Sequence, residues 1–135
     1  MAEETTPTIE ALRSVRIFRG LDDAALSRIA GMTSEVTFAP GHVLTEPRQT
    51  GSGAFLLVDG RVSVHARGVE TELGPGDVVG ELALLRSDSK RIARVQAVTP
   101  VRALAIDRAA FRGLLSSDVH LAIALLENVA DHVPD

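Results

Sequence analysis

The feature that most constrains this chain is a run of short, β-prone segments between residues 34 and 106, each closed by glycine or proline. Val36–Phe38, His42–Leu44, Ala54–Val58, Arg61–Ala66, Glu70–Leu73, Val78–Val79, Arg91–Val98 and Val101–Ile106 are rich in branched and aliphatic residues. They are too short for helices. Turn signals separate them: Pro40-Gly41, Gly51-Ser52-Gly53, Asp59-Gly60, Gly74-Pro75-Gly76-Asp77 and Thr99-Pro100. Many short strands at this spacing predict a barrel, roll or sandwich. Asp59-Gly60, between two alternating runs, predicts a hairpin.

Helical patterns flank these strands. Up to about Met32, Thr6-Pro7 reads as a cap and first helical residue, followed by Ile9 and Leu12 at amphipathic spacing. Phe18-Arg19-Gly20 interrupts the pattern. Leu21-Asp22 then reads as staple and cap for a helix from Asp23 to Gly31, with Ala25, Leu26, Ile29 and Ala30 on one face. After the strands, Asp107 can cap a helix over Arg108–Leu115. Ser116 or Ser117 can cap a last helix of about 118–132, with Leu121, Ala122, Leu125 and Val129 toward one side. The fold class is therefore mainly β with flanking helices. The whole chain, 1–135, reads as a single domain: helical 1–33, an eight-stranded antiparallel roll over 34–106, and two C-terminal helices over 107–133.

Composition excludes several functions. The chain has no cysteine, hence no disulfide framework and no thiolate metal site. The expected compartment is cytoplasmic. The longest apolar run, Leu121–Leu126, falls far short of the roughly 20 residues of a membrane span. The acidic start, Met1-Ala2-Glu3-Glu4, has no apolar core of a signal peptide. Net charge is −4, the arginines are dispersed and neither Trp nor Tyr occurs, which argues against a nucleic-acid surface. His42, His65, His120 and His132 show no metal-binding spacing, so a cupin-like metalloenzyme is disfavoured and no metal site is expected. No Ser-His-Asp arrangement can be argued either, and no catalytic residue or cofactor is assigned. Gly74–Gly80 is one residue too long for a dinucleotide loop and lacks a strand-turn-helix context.

One constellation does carry chemistry. Gly80-Glu81-Leu82-Ala83-Leu84-Leu85 is followed by Arg91-Ile92-Ala93-Arg94-Val95. Gly80 permits a tight turn, and a short helix from Glu81 would present free N–H groups at its start. By strand parity Arg91 shares a face with Ala93, Val95 and Ala97. If that face is the core, the guanidinium points inward and needs an anion, either Glu81 or a ligand. An arginine fork can take a phosphate and a glutamate can take a sugar hydroxyl. Phosphate and ribose held together describe a nucleotide.

With Leu73–Leu85, Arg91-Ile92-Ala93, Pro40-Gly41, Asp59-Gly60 and Phe111-Arg112-Gly113-Leu114-Leu115 in this order, the chain resembles a cyclic nucleotide-binding domain from about Val15 to His132. That family includes the sensor domain of bacterial catabolite activator proteins and the regulatory subunits of cAMP-dependent protein kinase. The resemblance implies a phosphate-binding cassette made by Gly80 to Leu85 and Arg91 to Ala93. Glu81 would hold the ribose 2′-hydroxyl and Arg91 the cyclic phosphate. The amides of Leu82, Ala83 and Ile92 would complete the cradle. The base would lie under the last helix, with Asn128 and His132 as candidate contacts. The family usually has Ala, Ser or Thr where this chain has Ile92. The missing hydroxyl leans toward cAMP over cGMP, and the branched bulk crowds the pocket.

The resemblance implies a ligand-sensing module, partnered by a cyclic nucleotide and by an attached or separate effector. The alternative is a degenerate domain that keeps the fold, pairs Glu81 with Arg91 internally and serves as a protein interaction module. A third reading makes Leu121, Leu125 and Val129 a dimer seam, against which packing onto the roll is the stronger expectation. Neither a helix-turn-helix nor a kinase or channel segment follows the last helix, so the sequence reads as a sensor domain alone or cut from a larger protein.

Overall fold

The computed structural model describes residues 2–45, 53–66, 68–79 and 94–132. Two four-stranded antiparallel sheets form a roll. The first has the order β1-β8-β3-β6 and the second β2-β7-β4-β5, with β1 Thr33–Phe38, β2 Val43–Thr45, β3 Gly53–Asp59, β4 Val62–Ala66, β5 Val69–Leu73, β6 Val78–Val79, β7 Arg94–Ala97 and β8 Val101–Asp107. All eight predicted strands are present. Helices α1 (Ala2–Arg13) and α2 (Asp23–Ala30) precede them, with a 3-10 turn at Arg16–Phe18 between the two. Helices α3 (Arg108–Ser117) and α4 (Val119–His132) follow.

The two cores explain the strand sequences. Ala54, Leu56, Val78, Leu104 and Ile106 point out of the first sheet and pack with Leu12, Phe18, Leu26, Ile29, Phe111, Leu121 and Leu125 of the helical layer. Leu57, Val79, Val101 and Ala103 point the other way and meet Val62, Val95 and Ala97 of the second sheet. The strands β3 and β8 are buried on both faces, so they read as nearly continuous apolar runs. Strand β7 alternates instead, with Val95 and Ala97 buried and Arg94 exposed.

Local chemistry fixes most helix ends. The Asp22 carboxylate accepts the Ala25 N–H at 2.8 Å, and Asp107 accepts that of Ala110 at 3.2 Å, as the sequence predicts. Two boundaries differ. Helix α1 begins at Ala2, and Pro7 sits inside it rather than opening it. Proline there removes one backbone donor in the second turn without removing the frame of the helix. Helix α4 is capped by Asp118, whose Oδ1 accepts the Leu121 N–H at 3.0 Å. The expected caps, Ser116 and Ser117, instead turn back onto the carbonyls of Arg112 and Leu114.

The Asp59-Gly60 hairpin is also corrected. Strand β3 pairs with β6 and β8, and β4 pairs with β5 and β7, so Asp59-Gly60 is a corner that carries the chain from one sheet to the other. A second corner, at 98–100, lies against it. The Arg61 N–H donates to Thr99 Oγ1 at 2.9 Å, and the Val98 N–H donates to the Arg61 carbonyl at 2.9 Å. Gly60 has φ +94, and an added Cβ would collide with the Pro100 carbonyl oxygen. Only glycine fits both constraints. In helix α4, Leu121 and Leu125 are core residues and so form no dimer seam, while the side chain of Val129 lies outside the described ones; among the described large apolar residues of α4, Val119, Ile123 and Leu126 are exposed.

Candidate functional site

The predicted cassette residues Gly80, Glu81, Leu82, Ala83, Arg91, Ile92 and Ala93 lie outside the described residues. The structure gives the frame that holds them. On one side is β6, which pairs with β3 through Phe55↔Val79 and Leu56↔Val78 at the edge of the first sheet. On the other side is β7, which pairs with β4 through Val62↔Ala97 and Val64↔Val95 in the second sheet. Residues 80–93 therefore connect the two sheets. Val95 and Ala97 are 4% and 3% exposed and mark the core face of β7.

The approach to β6 is tied down by its own chain. In the turn Gly74–Asp77, Asp77 Oδ2 accepts the Gly74 N–H at 2.9 Å, and the Gly76 N–H goes to the Leu57 carbonyl at 2.9 Å. With those amides committed, this glycine-rich turn is no phosphate loop, consistent with its spacing. Asp77 Oδ1 accepts from Arg16 Nη1 at 2.7 Å, and the Gly76 carbonyl accepts the Arg16 N–H at 3.0 Å. Gly76 has φ +92, and an added Cβ would sit 2.8 Å from the Ser14 carbonyl oxygen. The turn thus presses the 3-10 segment against the strand that leads to Gly80.

The last helix is tied to the same segment. Asn128 Nδ2 donates to the carbonyls of Ile17 at 2.9 Å and Arg19 at 2.8 Å. A candidate base contact by sequence, Asn128 spends its amide donor group on the backbone here. His132 is the last residue of α4, and its side chain lies outside the described ones. Sequence reasoning did not single out Arg16 and Asp77. The Gly-Pro-Gly-Asp turn was legible, but its partner lies far away in the chain.

Electrostatics add one perturbed group. The Leu121 N–H and then the Arg28 guanidinium, 2.7 Å away, hold the Asp118 carboxyl below its ordinary value. Asp118 thereby caps α4 and binds α2 together. Among the described residues no charged side chain is buried, and Ser63 is the one buried polar side chain. Among the same residues no three of His, Cys, Asp and Glu gather as a metal site. His65 lies 3.4 Å from Glu70, and the His42 ring lies 5.1 Å from that of Phe38.

Comparison with known proteins gives the family. The profile described as "Cyclic nucleotide-binding domain" matches residues 35–118. The chain is 26% identical over 127 residues to a CRP-like cAMP-activated global transcriptional regulator of Mycobacterium tuberculosis, covering 90% of this chain and 56% of that protein. It is 34% identical over 120 residues to the acetyltransferase Pat of Mycolicibacterium smegmatis, covering 85% of this chain and 36% of that protein. The chain thus spans between a third and somewhat more than half of these relatives. The solved regulatory subunit of a cAMP-independent protein kinase A from Trypanosoma brucei superposes with a TM-score of 0.80 at 26% identity, covering 96% of this chain and 48% of that one. On these matches, and on a roll of eight antiparallel strands with flanking helices, the chain belongs to the cyclic nucleotide-binding domain family.

Proposed function

We propose that this chain is a non-enzymatic sensor of a cyclic nucleotide, with cAMP favoured over cGMP, acting in the cytoplasm. Glu81 binds the ribose 2′-hydroxyl and Arg91 pairs with the cyclic phosphate. The amides of Leu82, Ala83 and Ile92 close the phosphate cradle beside Gly80 and Ala93. Capture of the ligand repositions the C-terminal helices and so biases an attached or separate effector. The observation that supports this best is the inward face of β7. Val95 and Ala97 are buried on that face, and sequence parity assigns Arg91 to it, where a guanidinium would need an anion. A regulator described as cAMP-activated among the relatives supports the choice of messenger.

A second reading is an interaction module without nucleotide affinity. The same fold in the regulatory subunit of a protein kinase A described as cAMP-independent favours it, as does the bulk of Ile92. Calorimetric titration with cAMP and then cGMP separates the two. Saturable one-to-one binding, weakened about 3–5 kcal/mol by Arg91→Ala, is the expected result. Absence of heat to millimolar ligand at two temperatures would establish the interaction module instead.

A further inference from the structure

The 3-10 turn at Arg16–Phe18 is held by two separate sets of hydrogen bonds. From one side Asn128 of α4 donates to the Ile17 and Arg19 carbonyls at 2.9 and 2.8 Å. The turn's own backbone uses its other carbonyls, since Arg16 accepts the Arg19 N–H and Phe18 accepts that of Leu21. From the other side the Asp77 carboxylate takes the Arg16 guanidinium at 2.7 Å, while the Gly76 carbonyl takes the Arg16 N–H. Asp77 directly precedes β6, which ends at Val79 beside the predicted cassette. Ile17 and Phe18 are 2% and 1% exposed, so the turn cannot shift without moving packed side chains.

We infer that Asn128 is a positioning residue that couples α4, through the 3-10 turn, to Asp77 and the strand entering the cassette. A turn that is short, buried at its centre and bonded at both flanks transmits displacement instead of absorbing it. The amide supplies two N–H donors from one rigid plane, which fixes the rotation of α4 as well as its distance. The inference concerns coupling within the protein. It stands or falls without any nucleotide, so its failure and that of the ligand reading are separate results.

The test is amide hydrogen exchange, read by mass spectrometry on the full chain without nucleotide, for wild type, Asp77→Asn, Asn128→Ala and the double variant. Asp77→Asn should speed exchange in α4, although the hydrogen-bond partners of the Asp77 carboxylate are Arg16 and Gly74, and Asn128→Ala should speed exchange around Asp77 and β6. The double variant should fall short of the product of the single effects by about threefold or more, the mark of coupled sites. Arg16→Gln cuts the same joint at a half-exposed side chain, and it replaces Asp77→Asn if circular dichroism shows that variant unfolded. It should also add nothing further on top of Asp77→Asn. Wild-type exchange of α4 in both Asp77→Asn and Arg16→Gln, or effects that multiply, would overturn the inference.

Discussion

In the β1-β8-β3-β6 sheet β3, β6 and most of β8 are covered on both faces, whereas its edge strand β1 and the β2-β7-β4-β5 sheet keep one face in water. The first is held between the roll interior and the helical layer, and Leu56, Leu57 and Ala103 in it are fully buried. The second alternates. Val62 and Val95 point inward, while His65, Glu70, Glu72 and Arg94 face out. Burial on both faces makes the first sheet the fixed frame, since every displacement costs packing on two sides. Residues 80–93 lie in sequence between β6 of the first sheet and β7 of the half-solvated sheet.

The largest break in this contrast comes from the helix-covered face. Phe111 is 2% exposed, its ring centroid 6.5 Å from that of Phe18. Phe111→Ala should cost about 3–5 kcal/mol in urea unfolding, since the site is enclosed by both helix and sheet. At the corner between the sheets, Gly60→Ala must strain φ and push on Pro100, so unfolding should be easier by about 1–3 kcal/mol. A fully stable Gly60→Ala protein would show that the corner can move and that the two sheets are less rigidly joined than the contacts at Arg61 imply.

A third effect is read in pH. The Asp118 carboxyl is depressed in the folded chain relative to its ordinary value of 3.8. Its contribution is therefore present above that value and disappears as pH falls through the depressed one. Asp118→Asn should lower thermal stability at neutral pH and flatten the acid end of the stability profile. An unchanged acid limb would mean that the α2–α4 tie contributes nothing. Smallest of all, Glu72→Gln on the open sheet loses a contact of 3.9 Å to Arg61 between two exposed side chains. Its unfolding free energy should stay within about 1 kcal/mol of wild type. A larger loss would erase the distinction between the covered and the open face.

Local chemistry made much of the fold legible. Asp22 and Asp107 act as caps because a carboxylate next to a helix start meets free N–H groups wherever it occurs in a chain. The strands stand out because their branched runs end at Gly or Pro. The motif of Gly80, Glu81 and Arg91 pointed to the family, which the profile match over 35–118 shows, while those residues themselves lie outside the described ones. Partner choice was harder to read. Asp59-Gly60 has hairpin chemistry, yet β3 finds β6 and β8, because the apolar residues of β3 need cover on both faces. Asn128 was a candidate base contact by the family resemblance, and its amide N–H groups donate to carbonyls more than a hundred residues away.

By itself the sequence determined the number of strands, their inward and outward faces, and the caps at Asp22 and Asp107. These follow from periodicity and from interactions a few residues long. The tertiary structure alone decided which strands share a sheet, that Asp118 rather than a serine opens α4, and that Arg16 and Asn128 meet at one turn. Such pairings depend on which buried surfaces and unsatisfied backbone groups the fold brings within 3 Å of each other, and no spacing along the chain encodes that distance.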